Sequence, residues 1–252
     1  FQPIEVLKPF LIIILATILC DIKSNILFKY LISIFLISFI SLLLIAQPDI
    51  GQTLLVIFCW AVLIFTSGIN IYILLAIFIA GASLLTYLII YVPRFDYIQG
   101  RIFSFFNRET GTHNFQSDKA IESITSGGFF GKGIGEGVLK NRVPEAHTDY
   151  IISVISEEFG VVAIMLILLL FLILIYMVFK KISFETNDKV KLILIGSISL
   201  ILMQATIHVG VNIRLFPTTG MTLPFLSYGG SSIISTSILA GIILNLTKRK
   251  IT

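Results

Sequence analysis

The feature that most constrains this chain is a series of apolar runs, each long enough to cross a bilayer as a helix of about 20 residues. Seven such runs occur, at 4–20, 28–46, 53–70, 71–92, 150–179, 190–212 and 225–247. The mean hydropathy is +1.00, and 13% of the residues are charged, about half the share in a soluble domain. The sequence therefore predicts an all-α, polytopic membrane protein with about seven transmembrane helices.

Lysine and arginine in the short loops predict the orientation of these spans, because cytoplasmic loops carry an excess of both. The cations that define this side are Lys23, Lys29, Lys180, Lys181, Lys189, Lys191, Lys248, Arg249 and Lys250. We therefore predict a cytoplasmic C-terminus, with the polar segment 93–149 outside as one large extracytoplasmic loop. Seven spans with an exported start favour an odd number of further helices upstream. Because this topology accounts for the net charge of +4, we expect no nucleic-acid partner.

Two ionisable residues lie in the first span, where each charge costs roughly 2.5–3.5 kcal/mol on insertion scales. Glu5 and Lys8 are three residues apart, so they share a helical face and can neutralise each other. One interpretation is snorkelling of both side chains at a helix end, and the other is an ion pair that faces a cavity. In the connection before the third span, Asp49 or Thr53 is predicted to cap the helix.

A polar stripe is predicted at the start of the fifth span. If Asp149 opens this helix, Ser153, Glu157 and Gly160 follow on the same face. An acid at a helix start is commonly a cap, but a cap does not explain Glu157 two turns deeper. The pattern therefore favours a water-filled cavity that descends from the outer surface. His208, alone in the sixth span, is expected to be a hydrogen-bonded core residue rather than a metal ligand.

Four motifs occur in order at 1–5, 47–51, 144–150 and 223–232. Together they resemble the SEDS family of bacterial membrane glycosyltransferases, and the stretches 51–53, 115–123 and 217–222 are more similar to its division branch than to its elongation branch. The resemblance covers essentially the whole chain as one partial transmembrane domain, 1–252. It implies that about three transmembrane helices precede Phe1, an odd number, as the charge pattern favours.

The resemblance implies an enzyme, an inverting peptidoglycan glycosyltransferase that polymerises lipid II into β-1,4 glycan strands during septal cell-wall synthesis. It implies that Asp149 is catalytic and that Glu5 and Lys8 form an intramembrane ion pair. The other expected substrate-binding or cavity residues are Arg101, Glu145, His147, Thr148, Ser153, Glu157 and Ser227. Asp149 is also a candidate ligand for a divalent cation, Mg²⁺ or Mn²⁺, and no organic cofactor is expected.

The partners implied by the resemblance are lipid II, undecaprenyl-linked glycan, a class B penicillin-binding protein and other divisome membrane proteins. The implied location is the septum, in the bacterial cytoplasmic membrane. Two other functions fit the same residues: a transporter that flips lipid-linked precursors, which would also use broken helices and buried charges, and a non-catalytic scaffold that recruits a transpeptidase. The predicted clustering of charges near the outer surface favours chemistry on one face.

Overall fold

The computed structural model describes residues 2–21, 25–106 and 112–248. Within these ranges the chain forms nine α-helices and no strand, so the predicted all-α class is confirmed. The helices are α1 (Pro3–Cys20), α2 (Ile26–Ala46), α3 (Ile50–Thr66), α4 (Ile71–Tyr91), α5 (Asp96–Phe106), α6 (Thr112–Gly127), α7 (Ile151–Phe184), α8 (Asp188–Asn212) and α9 (Gly230–Thr247). Four residues used in the motif and charge predictions, Phe1, Lys23, Arg249 and Lys250, lie outside the described residues.

Six of the described helices, α1, α2, α4, α7, α8 and α9, are long and apolar enough to cross a membrane. The third predicted span, α3, is also apolar but has 17 residues, which corresponds to about 26 Å along the helix axis. Few residues of α4 and α7 are buried within the chain, and their exposed side chains are mostly large and apolar. Such surfaces belong in lipid, and the chain is a multi-pass membrane protein.

The start of α3 follows the sequence prediction. Asp49 is its N-cap, because the Asp49 carboxylate accepts a 3.0 Å hydrogen bond from the Gln52 N–H. At the other end, Gly68 adopts a left-handed φ of 94°, which lets α4 begin only a few residues later. The third and fourth predicted spans, 53–70 and 71–92, are thus joined by a short connection.

The predicted start of the last span, residue 225, is wrong, because α9 begins at Gly230. The preceding residues form a turn closed by Ser227. Its N–H donates to the Leu223 carbonyl at 3.1 Å, and its hydroxyl accepts from the Leu223 N–H at 2.8 Å. Phe225 lies in this turn with a left-handed φ of 67°, which a helix cannot include.

The segment 93–149, predicted to be one loop, contains α5, α6 and two short 3₁₀ helices, Pro93–Phe95 and Leu139–Arg142. The chain as a whole divides into two compact units. The first unit comprises Phe1–Leu75, Leu172–Met203 and Gly229–Thr252, and the second comprises Ala76–Phe171 and Gln204–Tyr228.

The core of the first unit is formed by α1 packed against α2, α3 and α9. Leu15, Leu63 and Leu239 are fully buried there. Gly196 of α8 allows a close helix approach, since a Cβ at this position would lie 2.7 Å from the Ile12 side chain. This packing excludes solvent and lipid from the interior of the unit.

The core of the second unit centres on Ile152, Ala205 and Leu223. These residues come from the start of α7, the end of α8 and the turn before α9. Partly buried apolar side chains pack around them: Ile124, Ile151, Ile164, Phe171 and Val209. Two polar residues of the candidate site, Asn212 and Ser227, lie in the last two of these segments, and the turn that carries Asp149 directly precedes the first.

Candidate functional site

A turn at residues 144–150 positions Asp149 just before α7. The Glu145 carbonyl accepts hydrogen bonds from the N–H groups of Thr148, Asp149 and Tyr150 at 3.1, 3.1 and 3.3 Å. Glu145 itself has a φ of 55°, uncommon for a residue other than glycine and found where the surroundings impose it. Because α7 begins at Ile151, the prediction that Asp149 is the first helical residue of a polar stripe is wrong.

Two other segments of the second unit bind the backbone of this turn. The Asn212 side-chain amide, at the end of α8, donates to the Asp149 carbonyl at 3.0 Å. In the turn before α9, the Ser227 hydroxyl donates to the Thr148 carbonyl at 2.6 Å, and the next N–H, that of Tyr228, donates to the His147 carbonyl at 2.9 Å. Three consecutive carbonyls are thus fixed, which restricts the position of the Asp149 side chain.

The Asp149 carboxyl group has an unusual environment for an aspartate near a helix end. Burial, reinforced by the negative charge of Glu145, raises the pKa of Asp149 to about 6, and a hydrogen bond from the Thr148 side chain opposes this in part. The carboxylate faces the backbone of Gly220, where a Cβ would be 3.5 Å from Asp149 Oδ2. A carboxylate that ionises near neutral pH can accept a proton from a bound reactant.

Arg101 of α5 brings a positive charge to the same site. Its guanidinium donates to the Thr218 carbonyl at 3.0 Å. The pKa of the Tyr150 phenol is raised by burial and by the charge of Asp149, and it is lowered in part by the charge of Arg101. The phenol, next to Asp149 in the chain, therefore senses both the carboxylate and the guanidinium charge. Within the described residues, no protein group hydrogen-bonds the buried Tyr150 hydroxyl.

Three other predicted residues, Glu145, His147 and Thr148, line an open pocket of about 680 Å³ beside the turn. Its remaining lining residues are Val143, Ala146, Val154, Glu158 and Tyr228. This volume falls in the range of pockets that bind small molecules or parts of larger ones. The lining residues carry two carboxylates, an imidazole and two hydroxyls next to apolar side chains.

Ser153 and Glu157 have a different setting from the one predicted, since both are fully buried. The Ser153 hydroxyl donates to the Tyr150 carbonyl at 2.7 Å. Glu157 accepts from the Ser123 hydroxyl at 3.0 Å and from the Leu139 N–H at 3.0 Å, and Lys132 approaches it to 3.7 Å. The expectation that Glu157 lines a water-filled cavity is therefore wrong, because protein groups surround its carboxylate.

A break in α7 at Gly160 explains why Glu157 is enclosed. Gly160 has φ 79° and ψ 180°, so the helical hydrogen bonds are interrupted there. The glycine-rich segment 127–138 takes their place. Its four backbone hydrogen bonds to α7 are Lys132 N–H to Glu157 O (2.9 Å), Gly133 N–H to Glu158 O (3.0 Å), Val161 N–H to Gly128 O (3.0 Å) and Val162 N–H to Phe129 O (3.3 Å). A Cβ at Gly131 would overlap the backbone of α7, and a Cβ at Gly160 would overlap the backbone of the glycine-rich segment.

The first unit contains its own polar cluster, and the predicted ion pair between Glu5 and Lys8 is confirmed at 2.7 Å. Gln52 of α3 joins it: the Lys8 ammonium donates to Gln52 Oε1 at 3.1 Å, and Gln52 Nε2 donates to Glu5 Oε1 at 2.5 Å. Snorkelling at a helix end is excluded, because Glu5 and Lys8 are 2% and 0% exposed. A buried charge pair needs such additional hydrogen bonds to offset its desolvation.

Sequence reasoning missed Gln52, Tyr150 and Asn212 as members of these sites. For Gln52 and Asn212 the available signal was an amide within or next to an otherwise apolar span, since buried amides must find hydrogen-bond partners. His208 was correctly predicted as a hydrogen-bonded core residue: it is 1% exposed, and its Nδ1 lies 2.7 Å from the Met221 carbonyl oxygen.

The fold and the site define an α-helical, multi-pass membrane protein with a half-buried acid and a buried phenol side by side just before one span, and a guanidinium whose charge acts on that phenol. The model of the FtsW/RodA/SpoVE family, described as "cell cycle protein", matches residues 1–251, and the chain belongs to this family. The resemblance noted in the sequence is thereby confirmed.

Two curated relatives are each named a probable peptidoglycan glycosyltransferase FtsW. The protein of Caulobacter vibrioides is 34% identical over 99% of this chain and 63% of its own length. The protein of Enterococcus hirae is 31% identical over 100% of this chain and 66% of its own length. The chain thus spans just under two thirds of these relatives.

Two solved structures have the same fold. One is a chain from a study of how a peptidoglycan synthase complex coordinates polymerization and crosslinking, with a TM-score of 0.79, 27% identity and coverage of 98% of this chain and 70% of that chain. The other is the rod shape determining protein RodA of Thermus thermophilus, with a TM-score of 0.64, 29% identity and coverage of 98% and 64%.

Proposed function

We propose that the protein is a peptidoglycan glycosyltransferase that polymerises lipid II into β-1,4 glycan strands during septal cell-wall synthesis. The observation that carries this proposal is Asp149, a half-buried carboxylate with a pKa near 6 on a backbone fixed by hydrogen bonds from Asn212, Ser227 and Tyr228. The names of the relatives from Caulobacter vibrioides and Enterococcus hirae support the same reaction.

In the proposed reaction, the 4-hydroxyl oxygen of the acceptor GlcNAc attacks the anomeric carbon of the donor. The new C–O bond forms as the bond to undecaprenyl pyrophosphate breaks, and the electron pair leaves with the pyrophosphate. A β product from an α-linked donor requires one inverting displacement and one general base. The Asp149 carboxylate takes the hydroxyl proton, and its raised pKa makes it a stronger base than an ordinary aspartate.

Arg101 is the group we propose to stabilise the departing pyrophosphate. Its guanidinium is positioned by the Thr218 carbonyl and carries a permanent charge that interacts with Tyr150, the residue after Asp149. A planar fork of N–H donors matches the geometry of phosphate oxygens. This arrangement would supply charge stabilisation at the leaving group while Asp149 acts at the nucleophile.

As an alternative to its role as the base, Asp149 would hold a divalent cation, Mg²⁺ or Mn²⁺, near the sugar hydroxyl, with Glu145 as the neighbouring carboxylate, since carboxylate oxygens are the ligands these ions prefer. Bound there, the ion would orient that hydroxyl and act as a Lewis acid. Glu145 and Thr148 would in addition contact the sugar, since both line the adjacent pocket.

We further propose that the protein acts in the cytoplasmic membrane at the division septum, with a cytoplasmic C-terminus and the site on the outer face. Its partners would be a class B penicillin-binding protein and other divisome membrane proteins. The structural relative from a peptidoglycan synthase complex supports the first of these.

The experiment that tests the activity uses the purified full-length protein, lipid II in liposomes and a separate flip assay with fluorescent lipid II. If the protein is an enzyme, long glycan strands form even when no active transpeptidase is present. A transporter moves lipid II between leaflets with no polymer, and a scaffold does neither. Either of the last two results would overturn the proposal.

A further inference from the structure

The glycine-rich segment 127–138 exposes large apolar side chains that the proposed reaction does not use. Phe129, Phe130, Ile134 and Val138 are 76%, 83%, 77% and 61% exposed. A patch of this kind is unusual on a surface that faces only water and marks a surface that contacts something apolar. The residues next to it along the chain are mainly glycines and two charged residues, Lys132 and Glu136.

The depth of this segment relative to the membrane is set by its backbone hydrogen bonds to α7. The carbonyls of Gly128 and Phe129 accept from Val161 and Val162, the first residues after the Gly160 break. The apolar run of α7 begins at that point and ends near Phe179, which spans roughly 28 Å along a helix. Since the hydrocarbon core is about 30 Å thick, Val161 and Val162 mark one boundary of that core.

The exposed face of α7 continues this apolar surface. Val162 and Met165 are 50% and 62% exposed, and they belong to a helix that crosses the membrane, so they face acyl chains. Phe129 is hydrogen-bonded to Val162 and therefore lies at the same depth as the end of this lipid-facing surface. Aromatic side chains favour the boundary between headgroups and acyl chains, and lysines there reach the phosphates.

We propose that residues 127–138 form a membrane-interface anchor, in which Phe129, Phe130 and Ile134 insert into the headgroup–acyl boundary of the bilayer that α7 crosses. The occupant of this surface is bilayer lipid, because a backbone hydrogen bond joins Phe129 to Val162, an exposed residue at the start of the apolar run of α7. Lys132 lies in the same segment with its side chain 40% exposed, and its ammonium approaches Glu157 Oε1 to 3.7 Å. The anchor fixes the height of the segment that encloses Glu157, independently of the proposed chemistry.

Site-directed spin labelling of the full-length protein tests this directly. Native cysteines, including Cys20 and Cys59, are replaced, and a nitroxide is attached to Phe130→Cys in vesicles of phosphatidylcholine and phosphatidylglycerol at 3:1. Collision rates with oxygen and with a water-soluble nickel chelate distinguish lipid, water and protein surroundings. Met165→Cys is the lipid-exposed control, and Thr186→Cys, in the exposed connection between α7 and α8, is the water-exposed control.

The anchor predicts an oxygen-to-nickel accessibility ratio at residue 130 close to that at residue 165 and severalfold above that at residue 186. A ratio equal to that at residue 186 would show a water-exposed loop and overturn the proposal. Low accessibility to both reagents would show that a polypeptide covers the segment and would also overturn it. Because the measurement needs no turnover, a protein without glycosyltransferase activity could still show the anchor, and the two proposals fail separately.

Discussion

The side-chain amide of Asn212, the last residue of α8, donates one hydrogen bond to the carbonyl oxygen of Asp149 at 3.0 Å and another to the carbonyl of His208 at 2.9 Å. It therefore joins the end of one membrane helix to the turn that carries the proposed base. The amide therefore satisfies the Asp149 carbonyl and positions the turn at the same time.

Replacement of Asn212 tests this positioning role. Asn212→Ala should lower kcat for glycan polymerisation by roughly 10²-fold, because a displacement of about 1 Å at a reacting group can cost that much. KM should change less than kcat. Asn187→Ala is the matched control, since Asn187 caps α8 at its other end and lies outside the site. Equal effects of the two substitutions would contradict a positioning role for Asn212.

The pKa of Asp149 predicts the pH dependence of the reaction. The carboxylate must be ionised to accept a proton, so the rate should fall as the pH drops through about 6, tenfold per unit well below the midpoint. The charge of Glu145 contributes to the raised pKa, and Glu145→Gln should therefore move the midpoint to lower pH. A pH–rate profile with lipid II checks both. A midpoint near 4 in the unmodified protein, or one that rises in Glu145→Gln, would contradict the assigned electrostatics.

The glycine-rich segment provides a stability prediction. Gly131 has a φ of 78°, and a Cβ there would overlap the backbone at Glu158. Left-handed strain alone costs about 1–3 kcal/mol, so Gly131→Ala, which adds an overlap, should lower the free energy of unfolding by more than this. Each kcal/mol corresponds to a fall in Tm of roughly 2–4 °C. Thermal unfolding in detergent checks this.

Two other glycines serve as controls for that measurement. Gly135 has a φ of 82° with no atom within 4 Å of a Cβ, so Gly135→Ala adds strain without overlap. Gly100 lies inside α5 with an equally open Cβ position, and Gly100→Ala should be neutral or slightly stabilising. We therefore expect the highest Tm for Gly100→Ala, a lower Tm for Gly135→Ala and the lowest Tm for Gly131→Ala. A Gly131 variant as stable as the Gly135 variant would argue against the close backbone contact.

The buried cluster of the first unit predicts non-additive energetics. Lys8→Met leaves a buried Glu5 carboxylate that has lost its ion pair and keeps the hydrogen bond from Gln52, which should lower the free energy of unfolding by about 3–5 kcal/mol. Glu5→Gln combined with Lys8→Met removes both charges and should restore most of that loss. A double variant no more stable than Lys8→Met, measured by denaturant unfolding in bicelles, would show that charge pairing is not what stabilises this cluster.

Several of these features could be predicted from local sequence. The spacing of Glu5 and Lys8 places them on one helical face whatever surrounds the helix, and Asp49 has the chemistry of an N-cap. Apolar runs likewise predicted most helix positions, since membrane crossing depends on length and composition alone.

Other features depend on contacts between distant segments and were invisible in the sequence. The run around Gly160 is apolar enough to suggest one uninterrupted helix, and only residues 127–133 pairing with it reveal the break. The residues from Leu223 to Tyr228 fit an apolar helix, but Ser227 closes them into a turn that binds the Asp149 segment. Gln52 acquires its role through Lys8, 44 residues away, and Asn212 acquires its role through Asp149, 63 residues away.

The most direct test of the central claim is lipid II polymerisation by the full-length Asp149→Asn variant with its cognate transpeptidase. Asn keeps the shape of the side chain but cannot accept the proton, so polymerisation should fall by 10²-fold or more while expression and Tm are retained. Asp188→Asn, an exposed change in the first turn of α8, is the matched control and should keep full activity. Near-normal glycan synthesis by Asp149→Asn would contradict the role of Asp149 as the general base.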